Sequence, residues 1–319
     1  MIFNSIKNSL KPYSDKKIII SMIMGFVAGL PLLLTITLLQ AWLTDVNTSK
    51  STIGLFALIG LPYSLKFLWA PIFDRYVLCP LGRRRGWLLL SQVLLIISIF
   101  SLGQSNPEIN LYNVAILSLS VTFFSASQDI IIDAYRRESL LEKEQTIGAS
   151  AYVLGYRFGA LAAGAGGLIL ADVYSYSVVY TLMALIMLLG VLTTFIANEP
   201  KITAKPNTLK ESIIEPFKEF FSRHQVDKDD FQKYVPYLIL LFVLLYKVGD
   251  TMAHSLSTNF YLEIGFSKTE IGTVVKFFGL GATLIGAFIG GVLSLKIGLY
   301  KSLMYFGAFQ LIATLGFAI

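Results

Sequence analysis

Apolar residues recur along the chain in runs close to the roughly 18–20 positions that a helix needs to cross hydrocarbon, with short polar stretches between them. The pattern predicts nine membrane spans, at roughly 18–43, 52–73, 87–103, 111–135, 147–171, 176–198, 236–261, 269–293 and 302–319. The only long polar connection is 199–235. Within it Leu209, Ile213, Ile214, Phe217, Phe220 and Phe221 share one helical face, which predicts an amphipathic helix lying on the membrane, broken into two short pieces at Pro216. The expected organisation is all-α: a six-helix bundle over 1–198, a linker over 199–235, and a partial bundle of three spans over 236–319.

Composition agrees with a polytopic membrane protein. Of 319 residues, 55% are hydrophobic and 14% charged, whereas a soluble chain carries about 25% charged residues. Lys7, Lys11, Lys16 and Lys17 form a basic stub, and the apolar run after it is too long for the core of a cleavable leader. The single Cys79 excludes an internal disulfide and a cysteine metal cluster. The net charge of +6 does not point to nucleic acid, because the basic residues fall between apolar spans. With the N-terminus in the cytoplasm, twenty of the 26 Lys and Arg fall inside and only Lys50 and Lys268 outside, as the positive-inside rule requires. Trp42, Trp69 and Trp87 fall near predicted span ends, where an aromatic belt sits.

Ser49-Lys50-Ser51-Thr52-Ile53-Gly54 opens span 2 and Ser267-Lys268-Thr269-Glu270-Ile271-Gly272 opens span 8. Each span leads to a short basic turn. Repeats in one orientation are the build of major facilitator transporters. Asp74-Arg75 followed by Gly82-Arg83-Arg84-Arg85 resembles that superfamily's signature after span 2, with a wider gap. Further blocks resemble the AmpG muropeptide permease family: Gly25-Phe26-Val27-Ala28-Gly29-Leu30-Pro31-Leu32, Lys66-Phe67-Leu68-Trp69-Ala70-Pro71, Ala126-Ser127-Gln128-Asp129-Ile130, Val153-Leu154-Gly155-Tyr156-Arg157, Leu245-Tyr246-Lys247-Val248-Gly249-Asp250 and Ser257-Thr258-Asn259-Phe260. The resemblance implies a major facilitator fold and proton-dependent import of anhydromuropeptides for cell-wall recycling. It also implies a link to β-lactam resistance, no cofactor beyond the proton motive force, and a monomer in the bacterial inner membrane. The alternatives are a related acetyl-CoA-type transporter or a non-transporting truncated or split-gene remnant. The superfamily usually has twelve spans and this chain stops at Ile319 within the ninth. The expectation is therefore a fragment, or a shortened or split gene, that needs spans 10–12 to transport.

Charged residues at membrane depth are the candidate site, since each costs about 2.5–3.5 kcal/mol at a helix centre. Lys66, Asp129 and Arg157 fall at similar depths and are expected to converge on a cavity, where two cations hold the carboxylate ionised. Asp133, one turn from Asp129 and beside Arg136, has two readings, an interfacial salt bridge or a cytoplasmic gate. Asp74, Arg75, Arg83, Arg84 and Arg85 complete the expected latch. Lys247, Asp250 and His254 share a face of span 7, and Lys276 on span 8 is close in depth. They are either a satisfied polar patch or the second half of a substrate and proton site. Lysines and arginines suit a substrate bearing carboxylates. Tyr152, Tyr156 and Tyr246 are candidates to stack on sugar rings, with ordinary packing the other reading. Small residues at Gly155, Gly159, Ala163, Gly167 and Ala171, and at Ala282, Gly286 and Gly290, predict ridges of close helix approach. In the superfamily, spans 5 and 8 face each other across the bundle boundary, so these ridges are expected to slide or rock there. An enzyme is not expected, because the two histidines, His224 and His254, have no metal-ligand spacing around them.

Overall fold

Three helix starts follow from local side-chain chemistry. Asp15 accepts the Lys17 amide at 2.8 Å, Ser49 Oγ the Thr52 amide at 3.2 Å, and Asn110 Oδ1 the Asn113 amide at 3.0 Å. Each satisfies a donor that the first helical turn leaves open. The computed structural model describes residues 15–201, 208, 214, 218–221, 234–242, 245, 265 and 278–315. The chain divides into two units, Met1–Asn207 and Thr208–Ile319.

Among the described residues, six helices are long and apolar enough to cross a membrane: Lys16–Asp45, Ser51–Leu68, Arg83–Gln104, Leu111–Ser139, Glu142–Ala171 and Tyr176–Ile196. They are spans 1 to 6. All lie in the first unit. In the second, helices Gly279–Ile297 and Leu299–Leu315 are joined at Gly298, whose φ of +83° suits glycine. Helix 235–242 begins where the seventh span is predicted. The rest of that span, most of the linker, and the second copy of the repeat lie outside the described residues.

Several boundaries differ from the sequence expectation. Span 3 starts at Arg83, so the arginines lie in its first turn rather than in a loop. Span 4 continues to Ser139, which makes Arg136 and Arg137 helical and places Asp129 ten residues, about 15 Å, inside the helix. Span 2 is not one helix. It runs as Lys50–Leu55, a 3-10 turn Phe56–Gly60, Leu61–Leu65, a second 3-10 turn Lys66–Leu68 and Ala70–Arg75. Pro62 and Pro71 lack the amide an α-helix needs, and each stands at the start of a helical piece, where that amide is not missed. Spans 1 and 5 contain π-turns, Leu34–Leu38 and Ala162–Gly166.

The tightest helix pair is span 1 against span 5. A Cβ at Gly25 would lie 2.1 Å from the Tyr152 carbonyl oxygen, and one at Gly29 2.1 Å from that of Tyr156. From the other side, a Cβ at Gly155 or Gly159 would strike the carbonyl of Met22 or Phe26. Two small-residue ridges thus interlock and let the backbones touch. This corrects the expected role of the span 5 ridge. Gly155, Gly159, Ala163 and Gly167 are buried as the seat of span 1 inside the first unit, which is incompatible with a sliding surface there. Trp42 is also reassigned. It is buried, stacks on Tyr176 at 5.1 Å and touches Tyr180 at 5.7 Å, so it belongs to the core and not to a lipid-facing belt.

Candidate functional site: a buried carboxylate and a charged basic end

Span 4 presents a run of buried polar residues, Ser125, Ser127, Gln128 and Asp129. Their partners come from spans 1 and 2. Tyr63 donates its hydroxyl to Ser125 Oγ at 2.9 Å, and Trp69 Nε1 donates to Ser127 Oγ at 3.0 Å. Gln128 has a role set by Pro31. A proline removes the amide that would bond the carbonyl four residues earlier, here Val27. Gln128 Nε2 donates to that Val27 oxygen at 3.4 Å. The polar run therefore repairs a gap in span 1 and brings Asp129 to the same level.

Asp129 is 9% exposed, and its Oδ1 has no hydrogen-bond partner among the described residues. Lys66 and Asp133 are the charges within its electrostatic reach. Tyr63, Tyr152 and Tyr156 lie around it closely enough to feel its charge. The Tyr152 and Tyr156 rings stand 6.3 Å apart. Lys66 is half-buried and makes no ion pair with Asp129 within 4 Å. Arg157 is exposed; its charge acts on Tyr156 rather than on Asp129. The structure thus groups Lys66 with Asp129 and leaves Arg157 at the margin. A carboxylate with no ion pair among the described residues and one cation nearby can change its charge without first breaking a salt bridge.

The basic end of the unit is built differently. Glu138, the last acid of span 4, receives both Arg83 and Arg84. Arg83 Nη2 reaches Glu138 Oε1 at 3.0 Å and Arg84 Nε reaches Oε2 at 3.0 Å. Arg84 Nη1 also pairs with Asp74 Oδ1 at 2.8 Å, and Arg83 Nη1 donates to the Asp74 carbonyl at 2.8 Å. Arg83 and Arg84 are each 4% exposed. Glu199, just past span 6, accepts the Arg84 and Arg85 amides at 2.8 and 3.0 Å. In return Arg85 donates to the Thr194 and Phe195 carbonyls at 2.9 and 3.0 Å. Each helix end thus supplies the charge that the other's dipole favours. Gly82, at φ +107°, makes room: a Cβ there would overlap the Glu199 carboxylate. Spans 2, 3, 4 and 6 are tied together at this end. Asp133 pairs with Arg136 at 3.5 Å within span 4, and Arg136 lies over the Tyr152 ring at 5.7 Å. Arg75 lies over Tyr76, also at 5.7 Å.

The Major Facilitator Superfamily model matches residues 20–319. The chain belongs to the Major Facilitator Superfamily. It is 41% identical over 304 residues to the "Anhydromuropeptide permease" of Escherichia coli K12, covering 94% of this chain and 60% of that protein. A Haemophilus influenzae protein is 40% identical over 305 residues, covering 95% of this chain and 70% of the relative. The "Putative transporter AmpG 4" of Rickettsia felis is 32% identical over 311 residues, covering 94% and 73%. The chain spans about 60% of the length of the E. coli relative.

As a superfamily member this is a multi-pass membrane protein of a transporter family and not an enzyme. Among its described residues, no group of His, Cys, Asp and Glu could hold a metal ion. Of the predicted site, Lys247, Asp250, His254, Lys276 and Tyr246 lie outside the described residues. Sequence reasoning missed Glu138, Glu199, Gln128 and Tyr63. The first two close spans 4 and 6 and read as loop charges. A signal was present for Gln128, a polar residue beside Asp129 with a proline inside span 1.

Proposed function

We propose that this chain serves the proton-dependent import of anhydromuropeptides, N-acetylglucosaminyl-anhydro-N-acetylmuramyl units with or without peptide, from periplasm to cytoplasm. The geometric observation that supports it best is Asp129, a buried carboxylate at membrane depth without an ion pair among the described residues and within reach of Lys66. The 41% identity to the E. coli permease supports the substrate. In this reading Asp129 takes a proton from the periplasmic side while the cavity is open outward. The neutral acid and the substrate then favour closure, and approach of Lys66 expels the proton inward. Tyr152 and Tyr156 stack on sugar, Arg157 at the margin and Lys66 meet substrate carboxylates, and Lys247, Asp250, His254 and Lys276 form the second half of the pathway, with Tyr246 beside them. The Asp74–Arg84–Glu138 cluster, with Arg75, Arg83, Arg85 and the Asp133–Arg136 pair, is the cytoplasmic latch. The protein works as a monomer in the bacterial inner membrane, N-terminus inside, drawing on the proton motive force without a cofactor, and serves wall recycling and through it β-lactamase induction.

The test is uptake of labelled anhydromuropeptide by cells lacking their own permease and expressing this chain, beside Asp129→Asn. Accumulation that a protonophore and the variant each abolish is expected. Accumulation unchanged in Asp129→Asn removes Asp129 from the proton path. No accumulation by membrane-inserted wild type, with or without the spans of the longer relatives supplied in trans, overturns the substrate.

A further inference from the structure

The two irregular stretches of spans 1 and 2 meet. The π-turn Leu34–Leu38 and the 3-10 turn Phe56–Gly60 flank a cleft of about 110 Å³, closed on a third side by Thr122 of span 4. Departures from α-helix inside membrane spans are tolerated where they line a cavity, and π-turns gather at functional sites. The cleft's polar lining is Thr35, Gln40, Tyr63 and Thr122, with Phe56 and Ile59 among its apolar walls, and among the described residues no charged side chain borders it.

The hydrogen-bond state of that lining defines its ligand. Thr35 already donates its hydroxyl to the Pro31 carbonyl at 3.2 Å, Thr122 to Leu119 at 3.0 Å, and Tyr63 to Ser125 at 2.9 Å. Three hydroxyl oxygens therefore keep acceptor lone pairs. Gln40 is exposed at the end of the cleft and brings an amide that both donates and accepts. A ligand rich in hydroxyl donors, uncharged, with an amide and apolar ring faces matches this set. An anion would meet acceptors, and a cation would find no counter-charge. The volume amounts to about four waters' worth of liquid, room for the hydroxyl-bearing edge of a sugar ring with the rest of the ring outside it. Tyr63 both borders the cleft and senses Asp129, so the neutral cleft and the charged site are adjoining compartments.

We propose that this cleft is the subsite for the neutral N-acetylhexosamine ring of the substrate, with Gln40 and Thr35 as its specificity-determining residues. The proposal rests on the reading of the chain as an anhydromuropeptide importer. The ring's hydroxyls donate to Thr35, Tyr63 and Thr122, its acetamido group pairs with the Gln40 amide, and its apolar face lies on Phe56. The peptide-bearing, carboxylate end extends toward Lys66 and the tyrosines around Asp129.

The test is isothermal titration of the whole chain in lipid nanodiscs with two ligands, a disaccharide muropeptide and its counterpart lacking N-acetylglucosamine. Gln40→Ala and Thr35→Val are each expected to weaken the disaccharide ligand about tenfold, the loss of one or two good hydrogen bonds, and to leave the shorter ligand unchanged. Retained binding of the shorter ligand also shows that the variants fold. Equal weakening of both ligands, or of neither, overturns the subsite and leaves the importer reading standing. Absence of binding of either ligand to wild type, with or without the spans of the longer relatives supplied in trans, overturns the importer reading, and the subsite with it.

Discussion

Two carboxylates of span 4 illustrate how differently a residue fares in the same helix. Asp129 was conspicuous in the sequence because it interrupts an apolar run. Its surroundings were not, because Tyr63, Lys66, Tyr152 and Tyr156 arrive from spans 2 and 5, and only the packing decides which of many tyrosines come near. Glu138 read as an ordinary end-of-span charge and proves to hold two buried guanidinium groups. Removing its charge leaves Arg83 and Arg84 buried with only Asp74 and backbone carbonyls as partners. Breaking a buried pair from one side costs about 3–5 kcal/mol. Glu138 itself is partly open to solvent, which places Glu138→Gln toward the lower figure. Asp74 is 41% exposed at its side chain and pairs once. Asp74→Asn is expected to cost under about 1 kcal/mol. Thermal unfolding of the two purified variants, followed by tryptophan fluorescence, separates them; equal melting temperatures would show that Glu138 does not organise the cluster.

At the scale of elements, the sequence was most legible where the physics is local. Five of the six spans of the first unit were placed within a few residues, since apolar length depends on near neighbours. What it hid was non-local. The Gly155/Gly159 ridge was visible as spacing, but a ridge does not name its partner, which is Gly25 and Gly29 of span 1. The breaks in span 2 follow from Pro62 and Pro71, yet a hydropathy window averages over them. The ridge contact gives a prediction with its own control. Gly25→Ala sets a methyl against the Tyr152 carbonyl, an obstacle that no side-chain rotation relieves. Overpacking of this kind costs about 1–3 kcal/mol. Gly54→Ala enters a helix with nothing within 4 Å of the new methyl, and helix propensity then favours alanine by up to about 1 kcal/mol. Heat stability in detergent is expected to fall for Gly25→Ala and to hold or rise for Gly54→Ala. A stable Gly25→Ala would mean that spans 1 and 5 separate more readily than their interlocking allows.

For the whole molecule the strongest sequence signal was charge asymmetry, and the structure gives it a second meaning. The same basic residues that orient the chain also join helix ends: Arg83, Arg84 and Arg85 count toward the positive side and simultaneously clamp spans 2, 3, 4 and 6. Orientation and closure of that end are therefore encoded together, and the sidedness can be tested across span 4 alone. Glu108 lies in the exposed turn before this span and Lys143 in the exposed turn after it. The 29-residue helix between them separates the two turns by about 44 Å, more than the roughly 30 Å of hydrocarbon. With Cys79→Ser as background, Glu108→Cys is expected to react with a membrane-impermeant maleimide in spheroplasts, and Lys143→Cys only after lysis. The opposite pattern would put the arginine clamp on the periplasmic face, where it could not act as a cytoplasmic latch. Labelling of both sites in intact spheroplasts would mean that span 4 does not cross the bilayer, and Asp129 would then lose the burial in hydrocarbon on which its proposed role depends.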